Sequence, residues 1–328
     1  MAYSSEVYAA AKRILEERRS SAQRLAELKK ADVYAKIPEI QKLDSELSRR
    51  MANLSVLVLR GKEDLDGALA EINAQNEAAK RKKAELLLEK GFSPDCLEPN
   101  YTCKNCSDLG RKNGILCGCY KEICRNEALK ELSSSSGSAA CSFENFDLSY
   151  YADNGASDGT NPRRKMQNYY NFCINYANEF SLASPSIIMM GKTGLGKTHL
   201  SLAIAKTVIS KENAAFGVVY APAQKLVSDL EREHFSFSGS DARIRKYTDC
   251  DLLIIDDLGA EFPSQFTVSA IGNLINERLY EKRPTIISTN LSVKELTERY
   301  SERTASRILG EYKRLLFVGE DIRFLKNR

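Results

Sequence analysis

Gly191-Lys192-Thr193-Gly194-Leu195-Gly196-Lys197-Thr198 is the stretch on which the fold of this chain turns. Its spacing is GxxxxGK followed by a hydroxyl residue. The short apolar run Ser186-Ile187-Ile188-Met189-Met190 leads into it, and from His199 to Val208 the apolar residues return with a helical period. A buried parallel strand, a glycine-rich loop and a helix therefore follow one another, which is the context this motif requires. The glycines let backbone N–H groups wrap phosphates, and the helix N-terminus adds its positive end. Residues 191–198 are expected to cradle ATP, with Lys197 reaching the β- and γ-phosphates and the Thr198 hydroxyl ligating Mg²⁺.

Further along, Leu252-Leu253-Ile254-Ile255-Asp256-Asp257 reads as a buried strand that delivers paired carboxylates to the sheet edge where ligands bind. Asp256 is expected to hold the Mg²⁺ shell and Asp257 to polarise the attacking water. Between the two motifs, Gly217-Val218-Val219-Tyr220 also has strand character, and implies a strand inserted between the phosphate-loop strand and the acidic one. Such an insertion separates AAA+-like ATPases from simple nucleotide kinases. A further strand, Thr285-Ile286-Ile287-Ser288-Thr289-Asn290, would bring the Asn290 amide beside the γ-phosphate to orient water. The other reading of Asn290 is a turn residue closing a strand. In the stretch after Asn290 a strand and helices are expected, and no separate helical lid. It holds Arg307 and Arg323, either of which can neutralise charge on a γ-phosphate from its own or a neighbouring subunit, and spacing does not choose between these roles.

The first third reads as helix. Ile40, Leu43, Leu47, Met51, Leu54 and Val58 recur every three or four residues, and so do Leu65, Leu69, Ile72, Asn76, Ala79, Lys83 and Leu86. Asn76 and Lys83 are polar intrusions that would fix register. Pro38 suits a first helical turn, Gly61 a break and Gly91 a C-terminal cap. Val7, Ile14, Leu25 and Leu28 give a weaker stripe in an earlier helix. An antiparallel helical hairpin or small bundle follows. It is either self-contained or a partner-docking arm, and the stripe does not decide.

Cys103-x-x-Cys106 and Cys117-x-Cys119 come next, with Gly110 and Asn113-Gly114 between them to turn the chain so that the pairs converge. Four thiolates predict a tetrahedral Zn²⁺ with no open position, hence a structural site. Cys96 and Cys124 stand in reserve, either able to replace Cys119. Cys141, Cys173 and Cys250 are isolated and expected to be buried. His199 and His234 have no metal-ligand spacing and are treated as ordinary. The run Lys80-Arg81-Lys82-Lys83 reads first as a solvated helix face, and second as a contact for DNA phosphates or an acidic protein surface. Leu132-Ser133-Ser134-Ser135-Ser136-Gly137-Ser138 has the composition of a linker. The expected division is 1–95 helical, 96–130 cysteine-rich, 131–140 linker and 141–328 nucleotide-binding.

Bulk composition agrees with two domains. The chain has 328 residues, 43% hydrophobic and 28% charged, with 48 basic residues against 44 acidic ones. A net charge of +4 argues against coating nucleic acid by charge alone. No apolar run is long enough for a membrane span, and the first residues lack the apolar block of a signal peptide. A cytoplasmic setting is expected, where nine cysteines would stay reduced.

GKTGLGKTHL, LLIIDDLGAE, ISTN and the terminal SERTASRILGEYKRLLFVGEDIR, with the entry Phe143-Glu144-Asn145-Phe146, look like the AAA+ module of DnaC/DnaI-type bacterial helicase loaders. This likeness runs over residues 141–328, and YTCKNCSDLG with ILCGCYKE resembles the zinc-binding part of the same family. It implies an α/β fold: an AAA+ P-loop NTPase module with a parallel sheet, after a coiled-coil-like helical region and a small zinc knot. It also implies a replicative helicase as partner of the N-terminal part, and ATP and single-stranded DNA as ligands of the module. By the same resemblance Arg307 acts as a finger on a neighbour's ATP, through self-association of the modules, and Arg323 as a sensor in cis. The second acid is Asp257 where the general AAA+ pattern has Glu, which suits a slow nucleotide switch better than a motor. IstB-type transposition ATPases share the module, and a nucleotide-binding adaptor without hydrolysis is the remaining alternative.

Overall fold

Two periodicities divide the molecule: helical spacing up to Glu89, and strands alternating with helices beyond Ser186. The computed structural model describes residues 3–59, 65–136, 141–153, 161–211, 215–235 and 242–325. The chain forms two compact units, one of Lys12–Tyr120 and one of Met1–Ala11 with Lys121–Arg328. Gly61 and the Gly137-Ser138 pair lie outside the described residues.

Helix α1 (Ser5–Lys36) stops before Pro38, because a proline drives its predecessor out of the helical region. Pro38 then opens α2 (Pro38–Leu59) at its first turn, where no N–H is missed. The buried stripe of α1 is Val7, Ala11, Leu15, Ala22, Ala26 and Val33. Leu25 and Leu28 of the expected stripe are instead 58% and 62% exposed, since small alanines take the close-packed positions. Helix α3 (Leu65–Glu89) ends as expected at Gly91, whose φ of +77° suits glycine. The Phe92 and Gly91 N–H groups return to the Leu87 and Leu88 carbonyls at 2.8 and 2.9 Å, capping that end. Helices α2 and α3 run antiparallel: Asp44 pairs with Lys83 at 2.6 Å, while the later Arg50 meets the earlier Gln75 carbonyl at 3.4 Å. Lys83 thus leaves the basic run for a half-buried ion pair, which the Tyr34 hydroxyl also joins by donating to Asp44 at 2.6 Å. A tight hairpin, β1 (Arg111–Lys112) and β2 (Ile115–Leu116), turns on Asn113 and Gly114, both at positive φ.

Helix α4 (Gly118–Ser136) runs through the first serines, so 131–136 is helix where a linker was expected. Serine at the end of a helix costs little against neighbouring helix formers, whereas composition alone suggests coil. Beyond α5 (Pro162–Glu179) the unit is a doubly covered parallel sheet. Its strands are β3 (Ile187–Met190), β4 (Val218–Pro222), β5 (Leu252–Leu258), β6 (Thr285–Thr289) and β7 (Lys313–Leu316), in the order β4-β5-β6-β3-β7. The connections are α6 (Lys197–Ile209), α7 (Ala223–His234), α8 (Ala242–Asp249), α9 (Gln265–Tyr280) and α10 (Val293–Glu311), with α11 (Ile322–Leu325) last. The strand between β3 and β5 in space is β6. β4, which lies between them in sequence, takes the outer edge. This is the AAA+ order, and it brings the ends of β3, β5 and β6 side by side where a ligand crevice forms. Ile188, Leu253, Ile255, Ile287 and Ile308 are buried in the core beneath.

Two local irregularities shape the ligand side. The β5–β6 ladder pairs Ile255 with Ile287 and then Leu258 with Thr289, so Asp256 and Asp257 together face Ser288 across a bulge. Asp257 carries a φ of +57°, a left-handed conformation that aspartate tolerates better than most residues. Helix α10 starts with a capping box between Ser292 and Glu295 and is broken at Ser301, φ +71° and ψ 152°.

Candidate functional site

At the C-terminal ends of β3, β5 and β6 the two motifs converge on one cavity of about 490 Å³. Thr193 to Thr198, Asp256, Asp257, Asn290 and Arg323 line it. The loop leaves β3 at Gly191 and ends at Gly196, which takes φ +83° and leaves no room for a side chain: a Cβ would meet the Phe146 ring at 2.7 Å. Lys197 Nζ donates to the Gly191 and Lys192 carbonyls at 2.6 and 2.7 Å and to Asn290 Oδ1 at 2.6 Å. The Asn290 amide in turn donates to Asp257 Oδ1 at 2.6 Å. Burial pushes the Lys197 ammonium down to about 8, against the pull of Asp257 and Asp256. Burial, and next the Asp256 charge, raise the Asp257 carboxyl above its ordinary value.

Thr198 Oγ1 lies 2.9 and 3.0 Å from the two Asp256 oxygens. A hydroxyl and a carboxylate side by side form the hard oxygen donor set that Mg²⁺ takes, so the residues fit that ion. Lys192 contributes its carbonyl to Lys197 but is not part of the cavity lining. Asn290, at the end of its strand, bridges Lys197 and Asp257 with its amide. The two arginines part company. Arg323 lines the cavity, carried there by α11, whose Ile322 N–H donates to the Gly194 carbonyl at 3.1 Å. Arg307 is turned to the Asn276 side chain of α9 and is not among the described residues that line the cavity.

Sequence reasoning missed several lining residues. Asn145, Phe146, Asp147 and Tyr150 close one side, and Phe146 stacks with Tyr170 and meets the edge of His199. His199, treated as ordinary, therefore borders the site, its Nε2 2.7 Å from the Ser142 carbonyl. Cys141, expected to be buried, is partly exposed and also lines the cavity, whereas Cys173 and Cys250 are buried. The cluster of aromatic residues at 143–151 was the one signal that could have pointed here. Tyr220 and Ser288 had none, being single hydroxyls within strands.

In the other unit Cys103, Cys106, Cys117 and Cys119 gather with all four sulfurs within 4.8 Å of one another. Cys103 and Cys117 are 3.7 Å apart and Cys106 and Cys119 3.5 Å. Zinc–sulfur bonds of about 2.3 Å imply tetrahedral edges of roughly 3.8 Å, so the donor set fits Zn²⁺ in kind and spacing. Buried Asp108 accepts the Thr102 and Cys103 N–H groups at 2.8 and 2.9 Å, which holds the first pair in place. The Cys119 backbone N–H holds the Cys117 thiol down to about 6. Neither reserve cysteine joins: Cys96 packs on the Val33–Leu87 core, and Cys124 is buried elsewhere.

Comparison with known proteins finds relatives of the nucleotide-binding region. Residues 176–317 match the family described as IstB-like ATP binding protein. The replicative helicase loader DnaC of Escherichia coli (strain K12) is 29% identical over 133 residues, 40% of this chain and 54% of that protein. The ATP-binding protein of insertion sequence IS232 from Bacillus thuringiensis subsp. berliner is 30% identical over 125 residues, 38% of this chain and 48% of that protein. A crystal structure of the DnaC helicase loader aligns with a TM-score of 0.44 at 22% identity, over 54% of this chain and 98% of that one. The chain spans about half the length of the curated relatives it matches. The similarity to DnaC-type loaders expected from the motifs is thus present. Among the described residues, no helix is long and apolar enough to cross a membrane.

Proposed function

We propose that this protein is a cytoplasmic, ATP-hydrolysing helicase loader that helps place a replicative ring helicase on single-stranded DNA. The observation that carries the reading is the continuous set of contacts from Lys197 through Asn290 to Asp257, beside Thr198 and Asp256, in one cavity. Similarity to DnaC supports the loading role. In this reading Lys197 binds the β- and γ-phosphates, while Thr198 and Asp256 hold Mg²⁺, which supplies charge neutralisation on the phosphate oxygens. Asp257 takes a proton from the water whose oxygen bonds to the γ-phosphorus as the bond to the ADP oxygen breaks. Its raised proton affinity helps it as a base, and Asn290 orients that water. A base one methylene shorter than Glu favours slow turnover, so hydrolysis serves as a timing switch. Arg323 senses nucleotide in cis, and Arg307 serves a neighbouring subunit. The helices and the zinc-bound cysteine knot form the arm that grips the helicase.

Two measurements test this. Phosphate release from ATP should be slow, rise with single-stranded DNA and disappear in Asp257→Asn while ATP binding remains. Nucleotide binding without any phosphate release would mark a non-hydrolysing adaptor instead. The second is co-purification with the cell's replicative helicase, with and without ATP. The IstB-like family match favours one other reading, a transposition helper. Recovery of a transposase and no helicase would select it.

A further inference from the structure

The carboxylate of Asp256 is held from both sides by the strands that flank it. From β4 the Tyr220 hydroxyl donates to Asp256 Oδ2 at 2.7 Å. From β6 the Ser288 hydroxyl donates to Asp256 Oδ1 at 2.6 Å. We infer that Tyr220 and Ser288 are positioning residues, a pair of hydroxyls that fixes the Asp256 carboxylate for a divalent cation. This inference rests on the reading of Asp256 as the metal-holding acid.

Three observations carry it. The torsion that turns a carboxylate about its Cβ–Cγ bond is broad, so an aspartate does not fix its own oxygens. A donor on each oxygen does, and here the donors come from two different strands. Thr198, the third hydroxyl in contact, is itself a candidate ligand and cannot serve as a fixed anchor. Ser288 also has a position that no other β6 residue shares: it alone faces the bulge, where its Oγ accepts the Asp257 N–H at 2.8 Å while donating to Asp256. One buried hydroxyl therefore closes the bulge and sends the two neighbouring carboxylates apart, Asp256 inward to Thr198 and Asp257 outward to Asn290. Partners that orient a metal ligand carry much of a site's affinity for the ion, and their loss typically costs about ten- to a hundredfold.

The test uses the full chain and a fluorescent N-methylanthraniloyl ATP. Its dissociation constant is measured in EDTA and in excess Mg²⁺ for wild type, Tyr220→Phe and Ser288→Ala, and the ratio of the two is compared. Both variants should lower that ratio about tenfold and leave the EDTA value unchanged. Tyr220→Phe removes a single oxygen from a ring that stays packed, so it reports on orientation even if Ser288→Ala also loosens the bulge. A purely structural role would weaken binding in EDTA and Mg²⁺ alike, and that result, or a wild-type ratio in Tyr220→Phe, overturns the inference. A wild type that binds equally with and without Mg²⁺ overturns the assignment of Asp256 itself, and the pair of hydroxyls with it.

Discussion

Arg278 is 1% exposed and spends its guanidinium on backbone. It donates to the carbonyls of Tyr247, Thr248, Cys250 and Pro284 between 2.7 and 3.0 Å and to Thr285 Oγ1 at 2.8 Å. A planar fork of five donors suits this knot of acceptors, and a lysine would leave most of them unpaired. Arg278→Met should lower stability by about 3 kcal/mol or more, because several buried carbonyls lose their partner at once. The urea midpoint reads that loss. Lys197 behaves differently, since its contacts face the cavity. Lys197→Ala should weaken ATP binding by about a hundredfold, the worth of roughly 2–3 kcal/mol for a charged contact, and shift thermal unfolding little. Wild-type affinity in this variant would remove the phosphate-loop assignment. At this scale the residues that were legible are those whose chemistry demands a fixed spacing, Lys197, Thr198 and the paired aspartates. Arg278, Tyr220 and Ser288 act through folding partners far off in sequence, so no local pattern marks them.

At the scale of elements, hydrophobic period identified β3, β4, β5 and β6 and the helices α1, α2, α3 and α6, and it passed over the places where one residue breaks the period. The bulge at Asp256–Asp257 and the break at Ser301 each concern a single backbone position, which a window of a dozen residues averages away. Helix α11 is another such case, four residues set against the phosphate loop. Gly194 lies under it at φ +76°, and a Cβ there would fall 1.8 Å from Asp321 Oδ1. Gly194→Ala should therefore push the 319–325 segment away and withdraw Arg323 from the cavity, beyond the strain at the loop itself. If Arg323 senses bound nucleotide, Gly194→Ala and Arg323→Ala should impair hydrolysis to a similar degree, and the double variant should be no worse than Gly194→Ala. Additive losses on phosphate release would show that the two act separately.

For the whole molecule, the expected zinc and the proposed contact between subunits decide most. One Zn²⁺ per chain is expected, released by a strong chelator or by acid because the thiolates must be deprotonated to bind. Its loss should open residues 12–120 to proteolysis. Protein purified without chelator and free of zinc by elemental analysis would contradict the site. Arg307, turned to Asn276 and away from its own cavity, gives the second test. Hydrolysis should rise faster than linearly with protein concentration, fall in Arg307→Ala, and recover in part when that variant is mixed with Lys197→Ala. Lack of recovery, with both variants folded and associating, would count against a finger in trans. Composition suggested a linear division into successive segments, and nothing in it marks the discontinuity of the second unit. Met1–Ala11 belongs with Lys121–Arg328, as Val7 and Ala11 are buried and Ser4 Oγ donates to Glu131 Oε2 at 2.8 Å. On a ribosome adding about 5–20 residues per second, the segment at 3–11 waits on the order of ten seconds or more before its unit is finished. All of 12–120 is made during that wait. The unit of 12–120 can therefore close first, and the nucleotide-binding unit completes itself by recovering a piece of chain made before it.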